Sequence, residues 1–297
     1  MAFVFTGTAT NHVDLLDKIR THLTNAVVMG TQAWTELGIV EVSASERYCY
    51  LRGPGLSATD EIYINIRQYE NSAADYYNFQ IFGAVGFSAA QTILNQPGAS
   101  PGSCVPLWNT AIPYTLVADG RHFKLIAKVS TTYQTAYAGF ILPYATSLEM
   151  PYPMFVGGSQ KDPNSRWSTP NYTAGAFFDP PQTCSYIRDF NGSWLEIANY
   201  ENYSANSRQE KNASVMWPWQ YSISVGNNQD LSFGMLPAII HSNTSGGNVY
   251  GELSGVKYVS GFNNAAEDTI TDGVDTYLVV QSGYRTTIRD YAAILLG

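Results

Sequence analysis

The sequence predicts a mainly β protein with one N-terminal helix, an antiparallel β-sandwich or barrel-like architecture divided into two β subdomains. Three observations carry that prediction: 21 Tyr and 25 Gly among 297 residues, many short segments in which apolar residues alternate, and a single stretch with helical spacing. Charged residues make up only 13% of the chain and hydrophobic ones 45%, against roughly 25% charged in an ordinary soluble domain. Its polarity is therefore carried largely by Ser, Thr, Asn and Gln.

The helix is "NHVDLLDKIRTHLTN". Asn11 can cap it and Asp14 stands at the third helical position. Val13, Leu16, Ile19 and Leu23 recur every three to four residues with Leu15 beside them, so one face is buried. After Gly30 the period changes to two. In "DEIYINIRQY", Ile62, Ile64 and Ile66 share one face while Tyr63, Asn65 and Arg67 share the other, the pattern of a half-buried strand. "ERYCYL", "DYYNFQIFGAVGF", "HFKLIAKVS" and "TYQTAYAGFIL" read as further strands, separated by "RGPGLS" and "NQPGASPGS".

Residues 137–159, "YAGFILPYATSLEMPYPMFVGGS", follow as a strap with one charge, Glu149. Pro143 stops a central strand, and Pro151 and Pro153 hold the chain extended without their backbone donors. Tyr144, Tyr152, Met154 and Phe155 are the expected anchors of this connector, packed on their own domain or on a neighbouring subunit.

Residues 160–181, polar and punctuated by proline, are the expected linker between a first domain at 1–159 and a second β-rich domain at 182–297. In the second domain "GSWLEIANY", "WPWQYSISV", "LPAIIH", "NVYGEL", "GVKYVSGF" and "TYLVVQSGYRT" read as short strands, and "DYAAILLG" ends the sequence. Trp217, Trp219 and Tyr221 place three rings on one face of an extended segment, either as packing or as a platform for stacking sugar rings.

Net charge is −8 and the pI about 4.9, which argues against a nucleic-acid partner bound through its phosphates. No apolar run approaches the roughly 18 residues that would span a bilayer, and the first residues lack a signal-peptide pattern, so the protein is expected to be soluble and made in a cytoplasm. Cys49, Cys104 and Cys184 are an odd number at wide spacing and predict neither a disulfide framework nor a zinc site. Five Asn-x-Ser/Thr matches, at Asn171, Asn191, Asn202, Asn212 and Asn243, follow from the Asn/Ser/Thr-rich composition.

The sequence lacks a His-Glu-x-x-His pair, a phosphate-binding Gly-rich loop ending in Lys-Ser/Thr and a dinucleotide fingerprint. His12, His22, His122 and His241 are scattered, with His12 and His22 expected at the surface of the helix. Asp60 with Glu61 and Glu267 with Asp268 are adjacent carboxylates near turns, expected to be solvated rather than a glycosidase pair. The expectation is a protein without catalytic, metal or cofactor residues.

Three long blocks, "LRGPGLSATDEIYINIRQYENSAADYYNFQIFGAVGF", "VPLWNTAIPYTLVADGRHFKLIAKVSTTYQTAYAGFILPYATSLEMPYPMFVGGS" and "NVYGELSGVKYVSGFNNAAEDTITDGVDTYLVVQSGYRTTIRDYAAILL", resemble a family of virion structural proteins of tailed bacteriophages. The resemblance covers most of the chain and is less distinct between about 188 and 245. It implies a particle component assembled in the host cytoplasm, a tail-tip or baseplate subunit before a neck, collar or head-decoration protein, whose partners are copies of itself and other virion proteins. Low charge and abundant Tyr suit such an assembly role. A module that binds host-surface polysaccharide through aromatic rings is the alternative, and a polysaccharide-degrading enzyme a third reading.

Overall fold

The computed structural model describes residues 2–55, 60–160, 162–168, 176–177, 185–197, 214–216, 234–241, 248–283 and 291–297. Its helix and its alternating strands form largely where their residue patterns place them. Helix α1 (His12–Leu23) is capped by Asn11, whose Oδ1 accepts from Asp14 N at 2.9 Å, while Asp14 Oδ2 accepts from Thr10 N at 2.7 Å. This reciprocal cap satisfies donors that a helix start leaves open. Leu15, Leu16, Ile19 and Leu23 are buried together, and a short α2 (Ala26–Met29) follows.

The strands are β1 (Phe3–Ala9), β2 (Thr35–Ser43), β3 (Glu46–Gly53), β4 (Ile62–Asn71), β5 (Tyr76–Ala84), β6 (Ser103–Leu107), β7 (Ile112–Ala118), β8 (His122–Val129), β9 (Thr132–Phe140), β10 (Leu142–Pro143), β11 (Met154–Gly157), β12 (Ser185–Arg188), β13 (Trp194–Ile197), β14 (Ser214–Met216), β15 (Leu236–His241), β16 (Val249–Tyr258), β17 (Thr269–Asp272), β18 (Asp275–Gln281) and β19 (Tyr291–Leu295). They form three antiparallel sheets. A central sheet runs β1-β7-β8-β9-β11-β12-β13, an inner one β2-β3-β4-β5-β6, and an outer one β14-β15-β16-β19-β18-β17, to which β10 adds beside β16.

The side chains of the central sheet alternate between two cores. Leu116, Phe123, Leu125, Ala136, Ala138, Met154 and Val156 point toward α1 and the inner sheet, where they meet Ile64, Ile66, Phe79, Ile81 and Val105. Val117, Ile126, Tyr133, Tyr137, Phe155 and Ile187 point the other way, toward Ile240, Leu253, Val256, Val280 and Ile294 of the outer sheet. The described strands thus form a β-sandwich of three layers, and the middle strands β8 and β9 of the central sheet are buried on both faces.

The expected division at 160–181 does not follow the sheets. β12 and β13, beyond it, are strands of the central sheet, and β10, before it, joins the outer one. Gln160 is itself bridged to Cys104 of β6. "NVYGEL" and "GVKYVSGF", read as two strands, form the single strand β16, bent at Gly251 and Gly255, where φ is +151° and +63°. Strands β1, β2, β6 and β7 do not stand out in the sequence, because Thr, Gly, Pro and charged residues interrupt their alternation.

Leu125 has no exposed surface and lies at the centre of the inner core. Leu125→Ala is expected to lower the unfolding free energy by about 2 to 5 kcal/mol, whereas Val27→Ala, at a side chain 95% exposed, is expected to stay within about 0.5 kcal/mol. Urea unfolding of the two variants checks this contrast.

Candidate functional site

Two features stand apart from ordinary packing: a polar cluster sealed between the central and outer sheets, and the strap that links those sheets at the surface. The cluster starts at the β7–β8 turn. Asp119 Oδ1 accepts from Arg121 N at 2.7 Å and from His122 N at 3.0 Å, closing the turn. Asp119 O receives the indole N–H of Trp34 at 2.7 Å, tying the turn to the inner core. Burial opposes ionisation of the Asp119 carboxyl, but the His122 ring, the two backbone donors and the Arg121 guanidinium outweigh it and hold the group below its usual range.

Along β8, His122, Lys124 and Ile126 face the outer sheet. Lys124 is 1% exposed and its ammonium donates to Ser254 O at 2.8 Å. Burial pushes its pKa down to about 8, with Arg121 adding to the depression and Asp119 opposing it. The ammonium fits there because residue 255 is glycine: a Cβ at Gly255 would stand 2.8 Å from Lys124 Nζ. The His122 ring stacks on Tyr137 at 5.2 Å between centroids, and burial pushes its pKa down to about 3. Asp119 Oδ1 lies 3.2 Å from His122 Nδ1 yet does not reverse that depression. Tyr137 donates to Phe140 O at 2.7 Å and accepts from Ser254 N at 3.3 Å; burial raises its pKa and keeps it a phenol.

Asp119, His122, Lys124 and Tyr137 lie inside the protein, while the Arg121 side chain is 34% exposed. The bonds of Lys124 and Tyr137 to Ser254 join β8 and β9 to β16, so the cluster works chemically as a polar clasp between layers.

The strap leaves the central sheet after β9, adds Leu142 and Pro143 to β16, and returns as β11. Backbone bonds Tyr144 N to Tyr250 O (3.0 Å) and Ile141 N to Pro153 O (2.8 Å) fasten it. The four expected anchors divide. Met154 and Phe155 are fully buried, one in each core, so they hold the strap to its own chain and cannot face a neighbour. Tyr152 is half-buried, edge-on to Phe140 at 6.1 Å and beneath the Arg188 guanidinium at 5.5 Å. Tyr144 is 54% exposed, its hydroxyl donating to Glu252 at 3.1 Å. Leu142 (43%) and Leu148 (92%), which the sequence did not single out, join it at the surface.

Trp217, Trp219 and Tyr221 lie outside the described residues, as does Cys184. A different aromatic groove, of about 350 Å³, opens on the outer face of the inner sheet and is lined by Leu37, Tyr48, Tyr50, Phe87 and Gln91.

His12, expected at the surface, is buried. Its Nε2 lies 2.9 Å from the Gln68 amide nitrogen and 3.1 Å from Glu70 Oε2, and burial pushes its pKa down to about 4. His22 is half-buried between Phe5 and Tyr114. The adjacent carboxylates serve structure: Glu61 pairs with Arg52 at 3.2 Å, Glu267 with Lys128 at 2.7 Å, and Asp268 accepts from Ala265 N at 2.6 Å. One Gly-x-Ser-x-Gly string, residues 98–102, escapes the motif reading. Its Ser100 is buried in the loop before β6, with Oγ accepting from Gly83 N at 2.9 Å, and is not on a strand-to-helix elbow. Among the described residues no group of three His, Cys, Asp or Glu side chains is placed to hold a metal ion.

These depressed values set the pH response. Below the unfolded-state histidine value of about 6.5, the unfolded chain binds more protons than the native one. Stability is therefore expected to fall as pH drops from 6.5 toward the native values of about 4 for His12 and about 3 for His122. Lys124 acts at the other end. Its cost is constant below pH 8 and is relieved as pH rises from about 8 toward 10.5. Subtracting the unfolding free energy of Lys124→Met from that of the parent is expected to give a difference that rises with pH over that window; a flat difference would remove the buried charge from the account. Compared with known proteins, the chain matches no protein-family model and no curated protein.

Proposed function

We propose that this chain is a structural subunit of a tailed-phage particle, a tail-tip or baseplate component that acts by protein–protein assembly. The observation that carries the reading is the strap. A segment bonded at both ends and anchored by Met150, Met154 and Phe155 displays Leu142, Tyr144 and Leu148 to solvent. A backbone held in place this way loses little further freedom on docking. The charge-poor, Tyr-rich composition supports the same reading.

A second reading, a module that stacks host-surface sugars, is favoured by the Tyr48, Tyr50 and Phe87 groove, where Tyr50 and Phe87 lie 5.3 Å apart. Binding of host envelope polysaccharide by the isolated chain, lost in Tyr48→Ala, would decide for it.

Purified particles are expected to contain the chain at a fixed ratio to other particle proteins. The double variant Tyr144→Ser, Leu148→Asp is expected to fold with an unchanged circular dichroism spectrum and to be depleted from particles by roughly tenfold or more, as loss of a central interface contact of ~1.4 kcal/mol or more requires. Particles that lack the wild-type chain altogether would contradict the proposal.

A further inference from the structure

Strand β1 is an open edge of the central sheet, and its sequence, FVFTGTA, is built to pair with itself. Among the described residues it has a neighbour on one side only, β7, in unbroken register from Phe3 opposite Ala118 to Ala9 opposite Ile112. Proteins normally blunt such an edge with charges, proline, a bulge or a short strand. Four of the other described edges show such a device: β2 carries Glu36 and Glu41 and two register shifts, β13 carries Glu196, β17 ends in Asp272, and β6 is bridged by Gln160. β1 has seven residues, no charge, no proline and no bulge.

We infer that β1 pairs antiparallel with β1 of a second copy of this chain, about a two-fold axis through Thr6, so that the central sheets of the two copies become one continuous sheet. A two-fold axis normal to the sheet keeps each face on its own side only if residues of equal parity stand opposite one another. Centred on Thr6, the pairing sets Phe3 against Ala9, Phe5 against Gly7, Val4 against Thr8 and Thr6 against its own copy. Each phenylalanine meets a small residue, Val4 meets the isosteric Thr8, and two threonines meet across the axis, a pair that stabilises antiparallel strands.

The surroundings suit this register. Phe5 is half-buried, stacked on His22 at 4.4 Å, and leaves part of its ring uncovered. A Cβ at Gly7 would stand 3.1 Å from the Tyr114 hydroxyl, so a side chain there would press on that ring. The partner's Phe5 would then cover Gly7 and the edge of Tyr114. The second copy is favoured over an unrelated strand because this register sets each phenylalanine against a small residue, sets threonine against threonine at the axis and brings no like charges together.

The test uses the full chain, free of particles, so that its failure leaves the strap reading standing and failure of the strap reading leaves this one standing. Across an antiparallel pair, facing Cα atoms are roughly 4.5 to 5.5 Å apart, within disulfide reach. Thr6→Cys is therefore expected to give a covalent dimer under mild oxidation. Thr8→Cys, whose copies would lie roughly 14 Å apart, and the parent chain are expected to give none. Thr6→Lys and Thr6→Asp are each expected to weaken the sedimentation-velocity dimer by roughly tenfold or more, and their equimolar mixture to restore it as opposite charges face one another. A parent chain that is monomeric at every concentration would overturn the proposal. So would a folded Thr6→Cys chain that cross-links no faster than Thr8→Cys.

Discussion

Strands β8 and β9 carry packed apolar side chains on both faces, so the central sheet has no wet side over its middle strands. A sheet in that position must satisfy its backbone through strand pairing and its polar side chains through internal partners. Most of what is distinctive in this protein follows. The helix and the inner sheet close one face, the outer sheet closes the other, and the strap adds Leu142 and Pro143 to the outer sheet before the chain returns to the central sheet as β11.

The same constraint explains the polar clasp. His122 and Lys124 fall on the face of β8 that a two-layer protein would leave in water. Covered by β16, the lysine ammonium bonds to Ser254 O, Asp119 favours its charge, and the glycine at 255 leaves room for it. Such a group is unfavourable when compared with an apolar side chain of similar volume, but once the layer is in place its loss would leave a carbonyl unpaired. Lys128, four residues on, reaches Glu267 of the outer sheet at the rim, where water weakens the pair.

Much of this was legible in residue patterns. The Asn11 cap, the buried face of α1 and the Ile62, Ile64, Ile66 face of β4 follow from local spacing, because each element's pattern agrees with its packing. The third layer was not legible. Alternation in "HFKLIAKV" is the same for a strand with one wet face and for one covered by a sheet whose main strands start only at Ser214. The buried positions of His12 and Met154 were hidden for the same reason, since long-range pairing decides them. Of the strap, the prolines marked the departure from the sheet; which aromatic residues point inward depends on β11 joining the central ladder.

The assembly reading and the self-pairing of β1 use different parts of the protein, a strap bonded to the outer sheet and an edge of the central one. Both presuppose that the central sheet is the stable frame to which the rest is attached. Native-state hydrogen exchange measures that most directly. The amides of β8 and β9 are predicted to be the slowest in the chain, opening only with global unfolding, while those of β17 and β2 at the outer edges exchange through smaller openings. Amides of the outer or inner sheet that outlast those of β8 and β9 would contradict the account.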